Sequence, residues 1–118
     1  MDIREERAMT QQPKAKIVDL DMSGTTYLRI LGGPPESVTM RSGYVVLLPS
    51  QSVGRHSTES FEEMVVVLEG EGEMLFGDGS VMGLKPHVAV YCPPETEHDV
   101  RNTGGSPLRY IYMVARAR

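Results

Sequence analysis

Short apolar runs recur along the chain from Lys16 onward, and clusters of glycine and proline separate them. No run has the 3.6-residue apolar period of a helix, whereas several are rich in the valine, isoleucine and tyrosine that strands favour. The pattern therefore predicts an all-β domain of antiparallel strands. The predicted strands lie in KIVDL, TTYLRIL, SVTMRSGYVVLLPS, EMVVVLEG, GEMLFG, SVMGL, HVAVYCP, HDVRN and LRYIYMVA.

Two short stretches carry more detailed predictions. Asp78-Gly79, between GEMLF and SVMGL, is a two-residue hairpin signal, because such a turn needs positive φ at its centre. The run from Met64 to Leu68 is apolar at every position. A strand in a one-sided sheet would alternate, so this run predicts burial on both faces. A second copy of the chain is the simplest cover for the outer face, and we expect a homodimer.

Length, charge and cysteine content narrow the classes of protein. The chain has 118 residues, enough for one domain, and we assign a mobile N-terminal arm to residues 1–15 and the barrel domain to residues 16–118. A formal charge of −4 gives no basic surface for nucleic acid, and no apolar run is long enough to cross a membrane. The N-terminus lacks the apolar core of a signal peptide, and the lone Cys92 suits a reducing cytosol. We expect a cytoplasmic protein.

Three side chains are candidates for one polar site. His56 and Glu63 are an odd number of residues apart, so an unbroken strand would point them to opposite faces. The polar segment STESF between them can form a loop or bulge that resets this alternation. Glu63 then shares a face with Val65, and His98, after a rigid Pro-Pro pair, shares a face with Asn102. Alternation thus leaves His56, Glu63 and His98 open as candidates for one polar site.

The order and spacing of these residues resemble the two motifs of the cupin superfamily over roughly residues 38–115. The matching residues are His56-Ser57-Thr58, Glu63 and Gly70 in the first motif, and His87, Pro93-Pro94-Glu95, His98 and Asn102 in the second. The resemblance implies a small double-stranded β-helix, the jelly-roll barrel of RmlC-like cupins, with a short N-terminal arm. It also implies a metal site in the barrel.

The chain departs from the family pattern at four positions. Thr58 stands where the family usually has its second metal-binding histidine. His87 and Glu95 replace the two glycines of the second motif, and Ser50 stands in place of a glycine before the first. Loss of those glycines is tolerable if the loops relax. By the resemblance, the family's set of three histidines and one glutamate becomes His56, Glu63 and His98.

Two imidazoles and one carboxylate with open positions suit one divalent ion: iron, manganese, nickel, cobalt or zinc. A neutral hydroxyl is a poor ligand, so Thr58 is better suited to hold a metal-bound water. The alternative is a barrel that has lost its metal and keeps these side chains as a hydrogen-bonded polar interior.

Other polar residues receive structural interpretations. Asn102 is expected to hold a turn through side-chain bonds to the backbone, and His87 to cap a turn. Glu62 should point away from Glu63, toward solvent or an interface. Cys92 is predicted to be a buried, inert thiol. Tyr44, Tyr91, Tyr110 and Tyr112 are strand aromatics of which one or two could line a pocket.

The functional prediction is a metal-dependent enzyme acting on a small oxygenated molecule, with dioxygenase, isomerase, lyase or decarboxylase chemistry implied by the resemblance. Thr58, Glu59 and a pocket tyrosine are the candidate proton-transfer groups. The alternative is a non-catalytic cupin that binds or senses a small ligand, with or without metal. A purely structural barrel is disfavoured by the intact set of His56, Glu63 and His98. An acid or base within reach of the open metal positions would favour the enzyme.

Overall fold

A computed structural model of the chain describes residues 12–24 and 26–118. Nine strands lie in this part of the chain, and every pairing between them is antiparallel. They are β1 (Tyr27–Gly32), β2 (Arg41–Leu47), β3 (His56–Ser57), β4 (Phe61–Glu69), β5 (Gly72–Phe76), β6 (Val81–Leu84), β7 (Ala89–Cys92), β8 (Glu97–Asn102) and β9 (Leu108–Arg116). Residues 12–24 and 26–118 contain no helix that is long and apolar enough to span a membrane.

The strands form two sheets that enclose one core. One sheet has the order β1-β2-β9-β4-β7 and the other β3-β8-β5-β6. Buried side chains from both sheets form a single cluster: Leu47, Val65, Val67, Met74, Leu84, Val90, Cys92, Val100, Leu108 and Tyr110. This is the predicted double-stranded β-helix, and the all-β fold class is confirmed.

Alternation along β4 decides which side chains face the core. Val65 and Val67, on the inner face, are each 1% exposed, and Glu63 on the same face is 9% exposed. Met64, on the outer face, is 39% exposed, and Val66 is half-buried. Burial on both faces is therefore wrong for a single copy of the chain. Cover by a second copy stays a prediction.

The predicted first strand, KIVDL, is not a strand. Residues 16–20 have no ladder partner, and the side chain of Ile17 is 92% exposed. β1 pairs only with β2 and leaves one edge of its sheet free, but residues 16–20 do not pair with it. The predicted arm, residues 1–15, lies for its first eleven residues outside the described part of the chain, so its boundary stays a prediction.

The predicted hairpin at Asp78-Gly79 does join β5 to β6. Its loop has three residues, 77–79, between the hydrogen-bonded Phe76 and Ser80, where two were expected. The amide of Phe76 donates to the Ser80 carbonyl at 2.9 Å, and the amide of Gly79 donates to the Phe76 carbonyl at 3.0 Å. Gly79 has a φ of +90°, the left-handed third position of such a loop. The Asp78 carboxylate accepts hydrogen bonds from both the amide and the hydroxyl of Ser80, which fixes the longer loop.

The turns that lack the family's glycines have not relaxed. Ser50, His87 and Glu95 keep left-handed backbones, with φ of 72°, 70° and 56°. The amides of these residues donate to the carbonyls of Asn102, Val67 and Glu59, respectively, at 3.2, 3.0 and 2.8 Å. These backbone bonds hold each turn in a conformation that costs a residue with a Cβ about 1–2 kcal/mol.

Glycine at position 87 is therefore expected to stabilise the fold. His87→Gly removes the left-handed penalty, while the greater freedom of glycine in the unfolded chain cancels part of the gain. We expect the free energy of unfolding, measured with urea, to rise by about 0.5–1 kcal/mol. His87→Ala, which keeps the Cβ, is the matched control and should bring no gain. A His87→Gly protein no more stable than His87→Ala would show that the turn is not strained.

Candidate metal centre

Strand pairing brings the two candidate histidines together. In the antiparallel pair of β3 and β8, His56 lies directly opposite His98, and their ring centroids are 4.3 Å apart. Glu63 enters from β4, on the inner face of the other sheet. One nitrogen or oxygen atom from each of the three side chains lies within 4.8 Å of the others. The structure thus brings together the three residues that the sequence selected.

Both imidazole rings are oriented by backbone carbonyls. Nδ1 of His56 is 2.8 Å from the carbonyl oxygen of Gly54, and Nδ1 of His98 is 3.1 Å from that of Thr96. A carbonyl oxygen only accepts, so Nδ1 carries the hydrogen in both rings. Nε2 of each ring is then the atom left to bind a metal, and this outer hydrogen bond is typical of histidine ligands.

Glu63 and His98 form a buried pair. Oε1 of Glu63 is 2.7 Å from Nε2 of His98, and the side chains are 10% and 1% exposed. The hydrogen bond to Glu63 raises the pKa of His98, while burial acts in the opposite direction. In the absence of a metal, Oε1 of Glu63 and Nε2 of His98 share a proton in a hydrogen bond.

The donor set fits a divalent ion. Ligand atoms bound at about 2.0–2.2 Å can be at most about 4.4 Å apart, and these atoms already lie within 4.8 Å of one another, so at most small side-chain rotations are needed. Binding would displace the proton shared by Glu63 and His98, since a ligand must be deprotonated. The chemistry and orientation of these three side chains therefore suit a metal.

Thr58 is buried beside this group, where its hydroxyl stabilises the backbone. Its Oγ1 donates to the Pro93 carbonyl at 2.7 Å and accepts from the Thr96 amide at 2.9 Å. The single hydroxyl proton is thus already used, and Thr58 could hold a metal-bound water only as an acceptor. Glu59, the other candidate proton-transfer residue, is exposed in the adjoining turn, where its φ is 53°.

Two cavities meet at the candidate metal centre. The barrel cavity, of about 520 Å³, lies between the sheets and is lined mainly by apolar side chains such as Val45, Leu47, Val65 and Val100. The smaller cavity, which we call the Arg41 cleft, has about 180 Å³ and is lined by Arg41, Ser57, Thr58, Glu59 and Phe61. His56, Glu63, His98 and Val114 line both cavities.

In addition to the three candidate metal ligands, a pair of tyrosines forms a polar group on the wall of the barrel cavity. The hydroxyl oxygens of Tyr27 and Tyr112 are 2.7 Å apart, and both residues line the cavity with Tyr110. Burial, together with the bond to Tyr27, raises the pKa of Tyr112. Gly43 makes room for the pair, since a Cβ there would lie 2.8 Å from the Tyr27 hydroxyl oxygen. Two of the predicted strand tyrosines thus line the pocket, and Tyr27 was missed.

Arg41 was also missed by the sequence reasoning. The signal was present, because alternation along β2 places Arg41 on the same face as Gly43 and Val45. In the sheet, Arg41 pairs with Val114 of β9, which pairs in turn with Glu63 of β4. A charged residue at an inward-facing position of a strand is the pattern that could have revealed it.

The remaining interpretations concern residues outside the centre. The side-chain nitrogen of Asn102 donates to the carbonyls of Leu47 and Ser106, and its oxygen accepts from the Gly104 amide, so its structural role is confirmed. Cys92 is buried as predicted, and burial raises the pKa of its thiol to about 11. Exposed His87 lies in a turn, and Glu62 accepts a bond from the Tyr91 hydroxyl.

Comparison with known proteins identifies the family. The model of the Cupin domain family matches residues 23–114, and the chain belongs to that family. An uncharacterized protein of Methanocaldococcus jannaschii is 34% identical over 56 residues, 48% of this chain and 44% of that protein. The chain thus spans less than half the length of that relative.

Solved structures share the fold. A Cupin 2 conserved barrel domain protein from Salinispora arenicola has a TM-score of 0.71 and 21% identity, with 88% of this chain and 91% of that chain covered. A predicted oxalate decarboxylase from Thermotoga maritima has a TM-score of 0.63 and 21% identity, with 84% and 99% covered. At these identities the similarity concerns the barrel alone.

Proposed function

We propose that this cupin binds one divalent metal ion through His56, Glu63 and His98 and acts as an enzyme on a small oxygenated molecule. The observation that carries the proposal is the convergence of two carbonyl-oriented imidazoles and a carboxylate within 4.8 Å. The ion would be iron, manganese, nickel, cobalt or zinc. Bound there, it would supply a Lewis acid with open positions for a ligand oxygen.

The chain's own groups would bind and orient the substrate. The apolar wall of the barrel cavity would take the body of the molecule and exclude water from it. The Tyr112 hydroxyl, kept protonated by its raised pKa, would donate either to Tyr27 or to a substrate oxygen. Thr58 and Glu59 line the opposite side of the centre. Glu59 is the candidate proton-transfer group there, because the Thr58 proton is held by Pro93.

Titration of chelator-treated protein with Zn²⁺ in a calorimeter tests the metal site. We expect one ion per chain, and His56→Ala should weaken binding at least about tenfold, because an imidazole ligand is lost. His87→Ala, which removes a histidine of the exposed turn, is the matched control and should bind as the wild type does. Equal loss in both variants, or no binding by the wild type, would contradict the site.

A non-catalytic binding or sensing cupin is the second candidate. It is favoured by the engaged Thr58 hydroxyl, which leaves few proton-transfer groups around the centre. Incubation of the Fe²⁺-loaded protein in air with catechols, 2-oxo acids and β-diketones, followed by mass spectrometry, separates the two. Conversion that His56→Ala abolishes supports the enzyme. Compounds that bind but are recovered unchanged support the binder.

We further propose that the protein is a cytoplasmic homodimer. The dimer is supported by an apolar patch on the outer face of the five-stranded sheet, where Met40, Met64 and Tyr91 are 42%, 39% and 52% exposed. These residues line a shallow groove with Met113 and Ala115. A contiguous apolar patch of this kind is typical of protein interfaces.

A charge in the patch is expected to separate the copies. Met64→Glu places a carboxylate in the proposed interface, and light scattering after size exclusion should change from the mass of two chains to that of one. Val81→Glu is the control, since Val81 is an exposed residue of β6 in the other sheet and should leave the mass unchanged. A wild-type protein with the mass of a single chain would contradict the dimer.

A further inference from the structure

We infer that the ligand of this barrel is an apolar carboxylic acid whose carboxylate binds Arg41 and whose body fills the barrel cavity. The inference rests on the proposed function, because it concerns the same site and names the class of molecule bound there. It depends on three features of the described residues: the position of Arg41, the charges of its cleft and the apolar wall behind the centre.

Arg41 is positioned from both sides. Its guanidinium carbon lies 4.7 Å from the centre of the Phe61 ring, a cation–π distance. Its aliphatic stem runs past Gly33, where a Cβ would lie 3.2 Å from the Arg41 Cγ. Gly33 also has a φ of +88°, so its backbone favours glycine for a second reason. These contacts direct the guanidinium into the cleft beside the candidate metal centre.

The guanidinium has no carboxylate partner in the part of the chain that the structure describes. The ion pairs found there use Lys16, Arg29, Arg55, His98 and Arg109. Arg41 is thus a cation at the site whose donors are available for an incoming anion. Its planar fork matches the two oxygens of a carboxylate.

The charges of the Arg41 cleft would favour an anion once a divalent ion is bound. The cleft contains two carboxylates, Glu63 and Glu59. Glu63 faces His98, while Glu59 and Arg41 are both exposed, so water and salt screen both of their charges. A divalent ion and Arg41 together outweigh both carboxylates. A loaded site would therefore attract a negatively charged group.

The barrel cavity determines the other half of the ligand. Its volume of about 520 Å³ is within the usual range of small-molecule pockets, about 300–1,000 Å³. Side chains such as Val45, Leu47, Val65 and Val100 give it an apolar wall, and none of its lining residues within 12–24 and 26–118 is a lysine or arginine. An aromatic or branched aliphatic body suits this space. The cleft and the cavity share His56, Glu63, His98 and Val114 in their walls, so a ligand with its carboxylate at Arg41 and its body in the cavity would lie against the candidate metal centre.

Two probes of equal size test the inference: 3-phenylpropanoate and its neutral amide, 3-phenylpropanamide. Calorimetric titration should show that Zn²⁺-loaded wild-type protein binds the acid about tenfold more tightly than the amide. Arg41→Gln should weaken binding of the acid about tenfold and leave the amide unchanged. Arg41→Lys, which keeps the charge, should restore part of the affinity. The matched control is Arg116→Gln, because Arg116 also lies near Phe61, at 5.9 Å, but does not line the cleft.

The outcomes separate this inference from the metal proposal. Equal binding of acid and amide, equal weakening of both by Arg41→Gln, or no binding of either probe would overturn the inference. A preference for the acid that Arg41→Gln leaves intact would assign the carboxylate to the metal and would also overturn it. If the protein takes up no Zn²⁺ and still prefers the acid in an Arg41-dependent way, the metal proposal fails and the carboxylate site stands.

Discussion

Metal-free His98→Ala protein is expected to be about 3 kcal/mol less stable than the wild type. His98 is 1% exposed and pairs with Glu63 at 2.7 Å. Its removal leaves the glutamate buried without a partner, and breaking a buried pair in this way typically costs about 3–5 kcal/mol. Urea unfolding in the presence of a chelator measures the change in the free energy of unfolding.

The Glu63→Ala variant and the Glu63→Ala/His98→Ala double variant show whether the loss of stability in His98→Ala comes from the unpaired charge. Once His98 is gone, removing Glu63 also removes the unpaired carboxylate, so the double variant should be no less stable than His98→Ala alone. The two single effects should therefore not add. Additive losses would contradict the pair and attribute the effect of His98→Ala to the cavity that it leaves.

Asn102→Ala should have a similarly large effect, at the other end of β8. The change removes three hydrogen bonds and leaves the carbonyls of Leu47 and Ser106 and the amide of Gly104 without this partner. Asn102 is 1% exposed, so water cannot replace the side chain without rearrangement. We expect a loss of about 2–4 kcal/mol in the free energy of unfolding.

Two further variants define the role of Asn102. Thr103→Ala changes an exposed neighbour in the same turn and should alter stability by less than about 0.5 kcal/mol. Asn102→Asp keeps the acceptor for Gly104 but turns the donor to Leu47 and Ser106 into a buried oxygen, so it should be at least as damaging as alanine. An aspartate variant of wild-type stability would contradict the bonding scheme.

The sequence could predict those parts of the site that depend on the alternation of side chains within long strands. Glu63 follows the inner face of β4, and His98 and Asn102 follow that of β8, because the side-chain period in a strand is two. The glutamate and one histidine were therefore assigned to the interior correctly. The same alternation on β2 would have revealed Arg41 had it been applied there.

Features that depend on pairing between distant segments could not be predicted. β3 has only two residues, so no periodic signal marks it, and the position of His56 depends on its register with β8. Whether KIVDL joins a sheet depends on pairing with a strand distant in sequence, and the left-handed turn at His87 depends on a bond to the Val67 carbonyl. In each case a tertiary contact overrides the local preference.

The metal content of untagged protein, prepared without chelators, tests the central claim most directly. Elemental analysis should find close to one transition-metal ion per chain in the wild type and almost none in the Glu63→Gln/His98→Ala double variant. Iron or manganese would favour oxygen chemistry, and zinc would favour Lewis-acid catalysis. A wild-type protein without metal, even after incubation with each divalent ion, would contradict the account and leave His56, Glu63 and His98 as a hydrogen-bonded interior.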